Sequence, residues 1–244
     1  MIKLLLLLLF IPLVSFGQLK FLPSSNGEVV EHTYYSLSYL DKHEQAEWAH
    51  YRLDSIRVSL NKTNRGRLKT DRNYYQDKTF KSKSAHKSDI KFKVDGYHKG
   101  HLVPAADMKM DFISVKEAAY MSNISPQVAS FNQGIWLRLE NRIRSLAKKS
   151  ELYITTGGVL KSDLEKIGRK NKVSVPKQFY KIIYDAKNQK MFAYLMPNTK
   201  LDSIEKYVVT VDSIKSITGI DFYPQLKTKL EFKLESVKNS LPPE

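Results

Sequence analysis

Residue types that can hydrolyse a phosphate ester cluster in the middle of the chain. His101 lies in the string Tyr-His-Lys-Gly-His-Leu-Val-Pro-Ala-Ala-Asp, which spans residues 97–107. Two more strings follow, Met-Ser-Asn-Ile-Ser-Pro-Gln at 121–127 and Phe-Asn-Gln-Gly-Ile-Trp-Leu-Arg-Leu-Glu at 131–140. The imidazole of histidine has a pKa of about 6.5, so its neutral form can accept a proton at physiological pH. By residue type, His101 therefore fits the general base that activates a water molecule.

Together the three strings resemble the active site of the DNA/RNA non-specific endonucleases with a ββα-metal site. That family includes the Serratia-type nuclease and mitochondrial endonuclease G. The resemblance implies hydrolysis of phosphodiester bonds by a histidine-activated water beside one divalent metal ion, and it implies the ββα-metal fold. It extends to the strings at 174–181 and 218–224, and so covers the chain from about residue 30 to 226.

The resemblance also implies the base and the metal ligand. The family's base ends an Asp-Arg-Gly-His motif, and His101 stands in its place. Asn132 matches the single protein ligand of a Mg²⁺ ion, with Mn²⁺ as the alternative; Mg²⁺ keeps most of its waters because it dehydrates reluctantly. By position alone, Asn132 would be more typical of a helix N-cap.

Further site residues are expected from the same resemblance. Glu140 matches a glutamate that orders water on the metal, Arg144 an arginine that contacts the scissile phosphate, and Asn123 a further site asparagine. Spacing alone also allows Glu140 and Arg144 to form a surface ion pair one helical turn apart. Arg72 and Lys99 are the weaker candidates for contacts with substrate phosphates.

The chain departs from the family where His98-Lys99 replaces Asp-Arg. Lys99 keeps the positive charge but lacks the planar fork of arginine, and His98 removes a negative charge near the base. Lower activity or a displaced pH dependence is expected. A zinc site built on His98 and His101 is an alternative, although the chain has no cysteine and no motif places a third nitrogen ligand. Asp107 is expected to be a structural carboxylate.

Hydrophobic patterning predicts the elements that position these residues. Apolar alternation predicts strands at Tyr34–Leu40 and Trp48–Leu53, the second also compatible with a helix. The other predicted elements are helices at Phe131–Lys149 and Ser203–Thr218, a strand at Leu152–Thr156, and a hairpin of Phe179–Asp185 with Lys190–Met196. This pattern predicts an α+β fold with a mainly antiparallel central sheet flanked by helices.

The charge balance favours an anionic partner. The formal net charge is +15, and removal of the segment containing Lys3 leaves +14, which attracts nucleic acid first and anionic lipid second. Residues 57–93 hold twelve Lys or Arg against three Asp, with aromatic residues between them. Such a stretch is either a solvated loop or a surface for the phosphate backbone of DNA and RNA.

The N-terminus predicts export. Residues 1–17 combine Lys3, an apolar run of eleven residues from Leu4 to Val14, and a Ser-Phe-Gly ending typical of a signal peptide. The run is shorter than the roughly 20 residues of a membrane span; a retained N-terminal anchor is the alternative. Residues 18–244 contain no internal repeat or Gly/Ser linker and are expected to form a single domain. An exported chain with zero cysteines relies on its core rather than on disulfides, which favours a bacterial protein, periplasmic or secreted.

Three functions are compatible with these features. The preferred one is a secreted, Mg²⁺-dependent endonuclease that cuts DNA and RNA with little sequence preference. The second is a catalytically weakened nucleic-acid-binding protein of the same fold, suggested by His98-Lys99. The third is a polyanion- or envelope-binding protein that uses only its basic stretch. Joint retention of His101, Asn132 and Glu140 favours the enzyme, because binding alone does not require them.

Overall fold

The computed structural model describes residues 20–64, 67–71, 73–80 and 84–243. The predicted signal peptide and Arg72 lie outside the described residues. The strands are β1 Glu28–Glu31, β2 Tyr35–Leu40, β3 Gln45–Leu53, β4 Tyr97–His101, β5 Ile124–Val128, β6 Leu152–Gly158, β7 Lys166–Ile167, β8 Val173–Ser174, β9 Gln178–Asp185, β10 Lys190–Pro197 and β11 Val208–Val209. The α-helices are α1 Ser55–Thr63, α2 Phe92–Asp95, α3 Phe112–Ala118, α4 Leu137–Ala147, α5 Val211–Thr218 and α6 Thr228–Glu235.

A seven-stranded sheet with the order β1-β2-β3-β6-β9-β10-β11 forms the centre. Every neighbouring pair in it is antiparallel, which confirms the predicted α+β fold with its antiparallel sheet. The predicted β9–β10 hairpin is confirmed. Residues 48–53 are a strand rather than a helix, and this strand, β3, pairs with β2.

Apolar residues cover both faces of this sheet. Because side chains alternate along a strand, Ile183 of β9 faces one core while Ile182 and Tyr184 face the other. The first core contains Leu139 and Ile143 of α4, and the second contains Ile214 of α5. The helix that carries the predicted site residues is therefore fixed against a central strand of the sheet.

Two predicted helices are corrected. The first half of Ser203–Thr218 forms a 3₁₀ turn at Glu205–Tyr207 and then β11, so only Val211–Thr218 is α-helical. This helix starts late because the Thr210 hydroxyl accepts a hydrogen bond from the Ser213 amide at 3.1 Å, which satisfies an N-terminal amide. The predicted helix Phe131–Lys149 is a π-helical segment, Phe131–Trp136, followed by α4, with non-helical backbone angles at Gly134.

The basic stretch at 57–93 is not a loop throughout its described part. Its first residues belong to α1, whose N-cap Asp54 accepts a hydrogen bond from the Arg57 amide at 2.9 Å, and its last residues enter α2.

Within the described residues, no helix has the length and apolar character needed to cross a membrane.

Candidate active site

A two-stranded ribbon presents the histidine. Strand β4 pairs with β5, which places His98 opposite Gln127 and His101 opposite Ile124. A side chain at Gly100 would overlap the buried Gln127 side chain, so glycine lets the two strands approach at the residue before His101.

Asn123 fixes the chain that leaves His101. Its side chain is fully buried, and its Oδ1 accepts a hydrogen bond from the Val103 amide at 2.8 Å. Its Nδ2 donates to the carbonyls of Val103 and Ala118, both at 3.0 Å. These bonds use the amide's donors and hold it away from the cavity that His101 lines. Asn123 is thus placed to position the ribbon rather than to touch a substrate.

One cavity brings together three of the predicted site residues. His101, Asn132 and Glu140 line a space of about 230 Å³, together with Pro104, Ala105, Ala106, Gln133 and Leu137. The ribbon supplies His101, the π-helical segment supplies Asn132, and α4 supplies Glu140. Residues far apart in the sequence therefore form a strand, strand and helix arrangement around a single opening.

His101 has a free nitrogen. Its Nε2 is buried and, among the described residues, has no hydrogen-bond partner. Burial lowers the pKa of His101 from 6.5 to about 4, because desolvation disfavours the imidazolium. The ring lies 5.9 Å from that of Tyr74, measured between centroids. A neutral imidazole whose nitrogen is not already engaged can accept a proton.

Asn132 does not cap a helix. It lies inside the π-helical segment, whose N-cap position is Ser130, and no side-chain capping bond is formed there. Its Nδ2 lies 3.5 Å from His98 Nδ1, at the limit of a hydrogen bond. This contact turns the amide nitrogen towards His98, and no described residue donates a hydrogen bond to the Asn132 oxygen.

Glu140 is buried rather than part of a surface ion pair. Burial raises the pKa of Glu140, and the positive charges of Lys181 and Arg144 offset only part of this rise. The Lys181 side chain is 0% exposed, and its Nζ has no hydrogen-bond partner among the described residues. That Nζ lies 4.6 Å from the centre of the Trp136 ring. Lys181 is therefore a buried countercharge for Glu140, held over an aromatic face.

Arg144 pairs with Asp107 instead of Glu140. Its Nη1 donates to Asp107 Oδ1 at 2.9 Å and its Nη2 to Asn141 Oδ1 at 2.6 Å. Asp107 is 1% exposed and also accepts a hydrogen bond from the Tyr51 hydroxyl at 3.2 Å. The guanidinium lines a second cavity that adjoins the first at Ala106 and Leu137.

Lys99 is held away from the catalytic cavity. Its ammonium donates to the Ile90 carbonyl and lies 5.5 Å from the centre of the Tyr74 ring. Lys99 does not line the catalytic cavity, so its contact with a substrate phosphate remains a prediction, as does that of Arg72.

The zinc alternative gains no ligand set. In the described part of the chain, no group of three His, Asp or Glu side chains close enough to share an ion includes His98 or His101. The only group of this kind found among the described residues is Asp221, Glu231 and Glu235, and the Lys215 ammonium lies within 3.2 Å of all three carboxylates.

The sequence analysis identifies neither Lys181 nor the ion pair between Asp107 and Arg144 as part of the site. The signal for Lys181 is a lysine within the string Gln-Phe-Tyr-Lys-Ile-Ile-Tyr-Asp, which otherwise has the apolar character of a buried strand. Lysine is almost never fully buried without a charged or polar reason. The sequence does not show which carboxylate it faces, because β9 and α4 meet only in the folded chain.

Comparisons with known proteins point to one family. A family model described as DNA/RNA non-specific endonuclease matches residues 15–229. The zebrafish mitochondrial nuclease EXOG is 29% identical over 84% of this chain and 64% of its own length. Human mitochondrial endonuclease G is 30% identical over 55% of this chain. The matched part is about half (51%) of the human protein's own length. A nuclease of Serratia marcescens is 27% identical over 90% of this chain and 83% of its own length.

A solved structure shares the fold. A chain from the crystal structure of the EndoG/EndoGI complex, which concerns the mechanism of EndoG inhibition, superposes with a TM-score of 0.71 at 28% identity. The superposition covers 84% of this chain and 89% of the other. The family model, these relatives and the shared fold lead to one conclusion: the chain belongs to the DNA/RNA non-specific endonuclease family.

Proposed function

We propose that this protein is an exported, metal-dependent endonuclease that hydrolyses phosphodiester bonds of DNA and RNA with little sequence preference. Residues 1–17 would act as the signal peptide, and residues 18–244 as a single domain in the periplasm or outside the cell. The observation that carries the catalytic proposal is the cavity shared by His101, Asn132 and Glu140, in which His101 Nε2 has no partner.

In this proposal His101 is the general base. Its lowered pKa keeps the imidazole neutral at physiological pH, so Nε2 can take a proton from water as the oxygen attacks phosphorus. The new P–O bond forms as the bond to the leaving oxygen breaks, and that oxygen is protonated from solvent. Arg144, fixed by Asp107, stabilises negative charge on the phosphate from the adjoining cavity.

The donor set fits one hard divalent cation. Asn132 offers a neutral amide oxygen, and the Glu140 carboxylate on the same cavity can accept hydrogen bonds from metal-bound waters. Oxygen ligands and retained waters suit Mg²⁺, and Mn²⁺ accepts the same ligands. When bound, the ion would stabilise the charge that develops on the phosphate. Asn132 would hold the ion, and the positive charge of Lys181 would favour the ionised form of Glu140.

Weak sequence preference follows if the substrate is held through its backbone. Phosphate contacts position a nucleic acid without reading its bases. The high positive charge of the chain and the lysine and arginine residues beside the cavity supply such contacts.

Incubation of the purified protein with supercoiled plasmid and with RNA, in Mg²⁺, Mn²⁺ or EDTA, tests the proposal. We expect nicking and then degradation of both substrates with either ion and no cleavage in EDTA. Asn132→Ala should be nearly inactive at every Mg²⁺ concentration, whereas Asn188→Ala, in the β9–β10 turn, should match the unsubstituted protein. Equal activity of the two variants would contradict the metal-ligand role of Asn132.

A catalytically weakened binding protein is the second candidate, favoured by His98 and Lys99 where the family has Asp-Arg. It predicts tight, salt-sensitive DNA binding without cleavage under any of these metal conditions. Cleavage that is lost in EDTA would eliminate it.

A further inference from the structure

A second cavity, larger than the catalytic one, continues from it across the surface. It has a volume of about 560 Å³ and meets the catalytic cavity at Ala106 and Leu137. Helix α1, the segment after Asp107 and helix α4 form its walls. Six of its polar residues define what we call the α1–α4 groove: Asn61, Lys62, Lys109, Asn141, Arg144 and Lys148.

The charge of this groove is of one sign. Among the described residues, four cations line it and no carboxylate does. The charge of Arg144 is offset by its ion pair with the buried Asp107 carboxylate. Lys62, Lys109 and Lys148 form no ion pair with any described residue. Three uncompensated ammonium groups therefore face the same open space beside the catalytic cavity.

A neighbouring depression extends the groove. The two share Lys109, and the depression adds Lys69, Lys116 and Phe112. The Phe112 side chain is 72% exposed at the start of α3, so its ring is accessible from solvent. Asp71 is the one carboxylate among the described residues that line this depression, and it accepts hydrogen bonds from the Asn73 amide at 2.9 Å and the Tyr75 hydroxyl at 2.8 Å.

The arrangement suits a chain of phosphates better than a single anion. Its cations come from three separate parts of the chain: α1, the segment after Asp107, and the C-terminal part of α4 with the residue that follows it. Phosphates repeat along a polynucleotide, and ammonium groups neutralise them without reading sequence. An exposed aromatic ring offers a face on which an unpaired base can stack.

We propose that the α1–α4 groove binds the substrate strand beyond the scissile phosphate, and that Phe112 stacks on an unpaired base at the far end. This inference rests on the proposed nuclease function, because it assigns the substrate's path away from that site. It predicts that binding strengthens as an oligonucleotide is lengthened on one side of the scissile bond.

The test compares two double variants of equal charge in the His101→Ala background, so that binding is measured without cleavage. Lys62→Glu/Lys148→Glu reverses two groove lysines. The matched control, Lys187→Glu/Lys190→Glu, reverses two exposed lysines at the β9–β10 turn. We expect the groove variant to reduce the log–log salt dependence of duplex DNA binding by about 2, since each phosphate contact contributes about 0.9. The control variant should keep the slope of the parent protein.

Phe112→Ala is tested on single-stranded and duplex oligonucleotides. Loss of one stacked base should weaken single-strand binding about tenfold and leave duplex binding unchanged. Equal salt slopes for the two double variants would contradict substrate binding in the α1–α4 groove. Unchanged single-strand affinity of Phe112→Ala would contradict base stacking on Phe112. A protein with native His101 that cleaves no nucleic acid would defeat the proposed function instead, so the two failures are distinguishable.

Discussion

The Arg144 guanidinium lies 2.9 Å from the carboxylate of Asp107, which is almost completely buried. Asp107 ends the string that begins with the catalytic ribbon, and Arg144 lies on α4. The ion pair therefore ties the chain after His101 to the helix that carries Glu140. It also fixes the direction of a long side chain that would otherwise lose rotamer entropy on meeting a phosphate.

Asp107→Asn should reduce both stability and activity. Removing one partner of a buried pair costs about 3–5 kcal/mol when the other charge stays buried, and Arg144 retains some access to solvent, so a loss of about 1–3 kcal/mol is expected. Urea unfolding and kcat/KM are the measurements. The control is Asp163→Asn, which breaks a solvent-exposed pair with Lys177 and should leave the stability nearly unchanged. Equal losses in the two variants would remove the special role of the Asp107 pair.

Lys181→Met should separate stability from activity. The unpartnered ammonium is costly to bury, so replacement by a side chain of similar length should leave the free energy of unfolding unchanged or raise it. Activity should fall at least tenfold, because Glu140 loses its buried countercharge and takes up a proton more readily. Thermal unfolding and kcat at neutral pH check both parts. A variant that keeps full activity would show that Lys181 does not support Glu140.

His98→Asp should strengthen metal binding. The aspartate would accept a hydrogen bond from the Asn132 amide, whose nitrogen already lies 3.5 Å from His98, and would orient the Asn132 oxygen towards the cavity. The added negative charge also favours a cation. The Mg²⁺ concentration that gives half-maximal activity should fall several-fold. An unchanged Mg²⁺ requirement would show that position 98 does not tune the site.

The pH dependence should have two acid limbs of different origin. Burial raises the pKa of Glu140, so its ionised form is lost first as the pH falls. The pKa of His101 is lowered to about 4, so the neutral base persists until more acid conditions. Glu140→Gln should lower kcat/KM and leave only the limb below about pH 5. The measurement is kcat/KM against pH for both proteins at fixed Mg²⁺. If the profiles of the two proteins superimpose on the acid side, the limb at higher pH belongs to a group other than Glu140.

The sequence predicts local elements better than it predicts charge pairing. The strands at Phe179–Asp185 and Lys190–Met196 are nearly correct, because alternation and a short polar turn are local signals. The helix at Ser203–Thr218 is half wrong, since the Thr210 cap competes with apolar periodicity. The spacing of Glu140 and Arg144 suggests an ion pair along one helix. Arg144 instead pairs with Asp107, and the buried Lys181 charge acts on Glu140; Asp107 and Lys181 belong to other elements, so only tertiary packing brings them near.

The central claim is that the unpartnered nitrogen of His101 takes the proton in the chemical step. The most direct measurement is the single-turnover rate of DNA cleavage by His101→Ala at saturating Mg²⁺, with His86→Ala as a control histidine outside the cavity. Loss of a general base typically costs about 10²–10⁴-fold. We predict a loss of that size for His101→Ala, with DNA affinity and thermal unfolding unchanged, and no loss for His86→Ala. A His101→Ala protein that keeps more than half of the original rate would contradict the account.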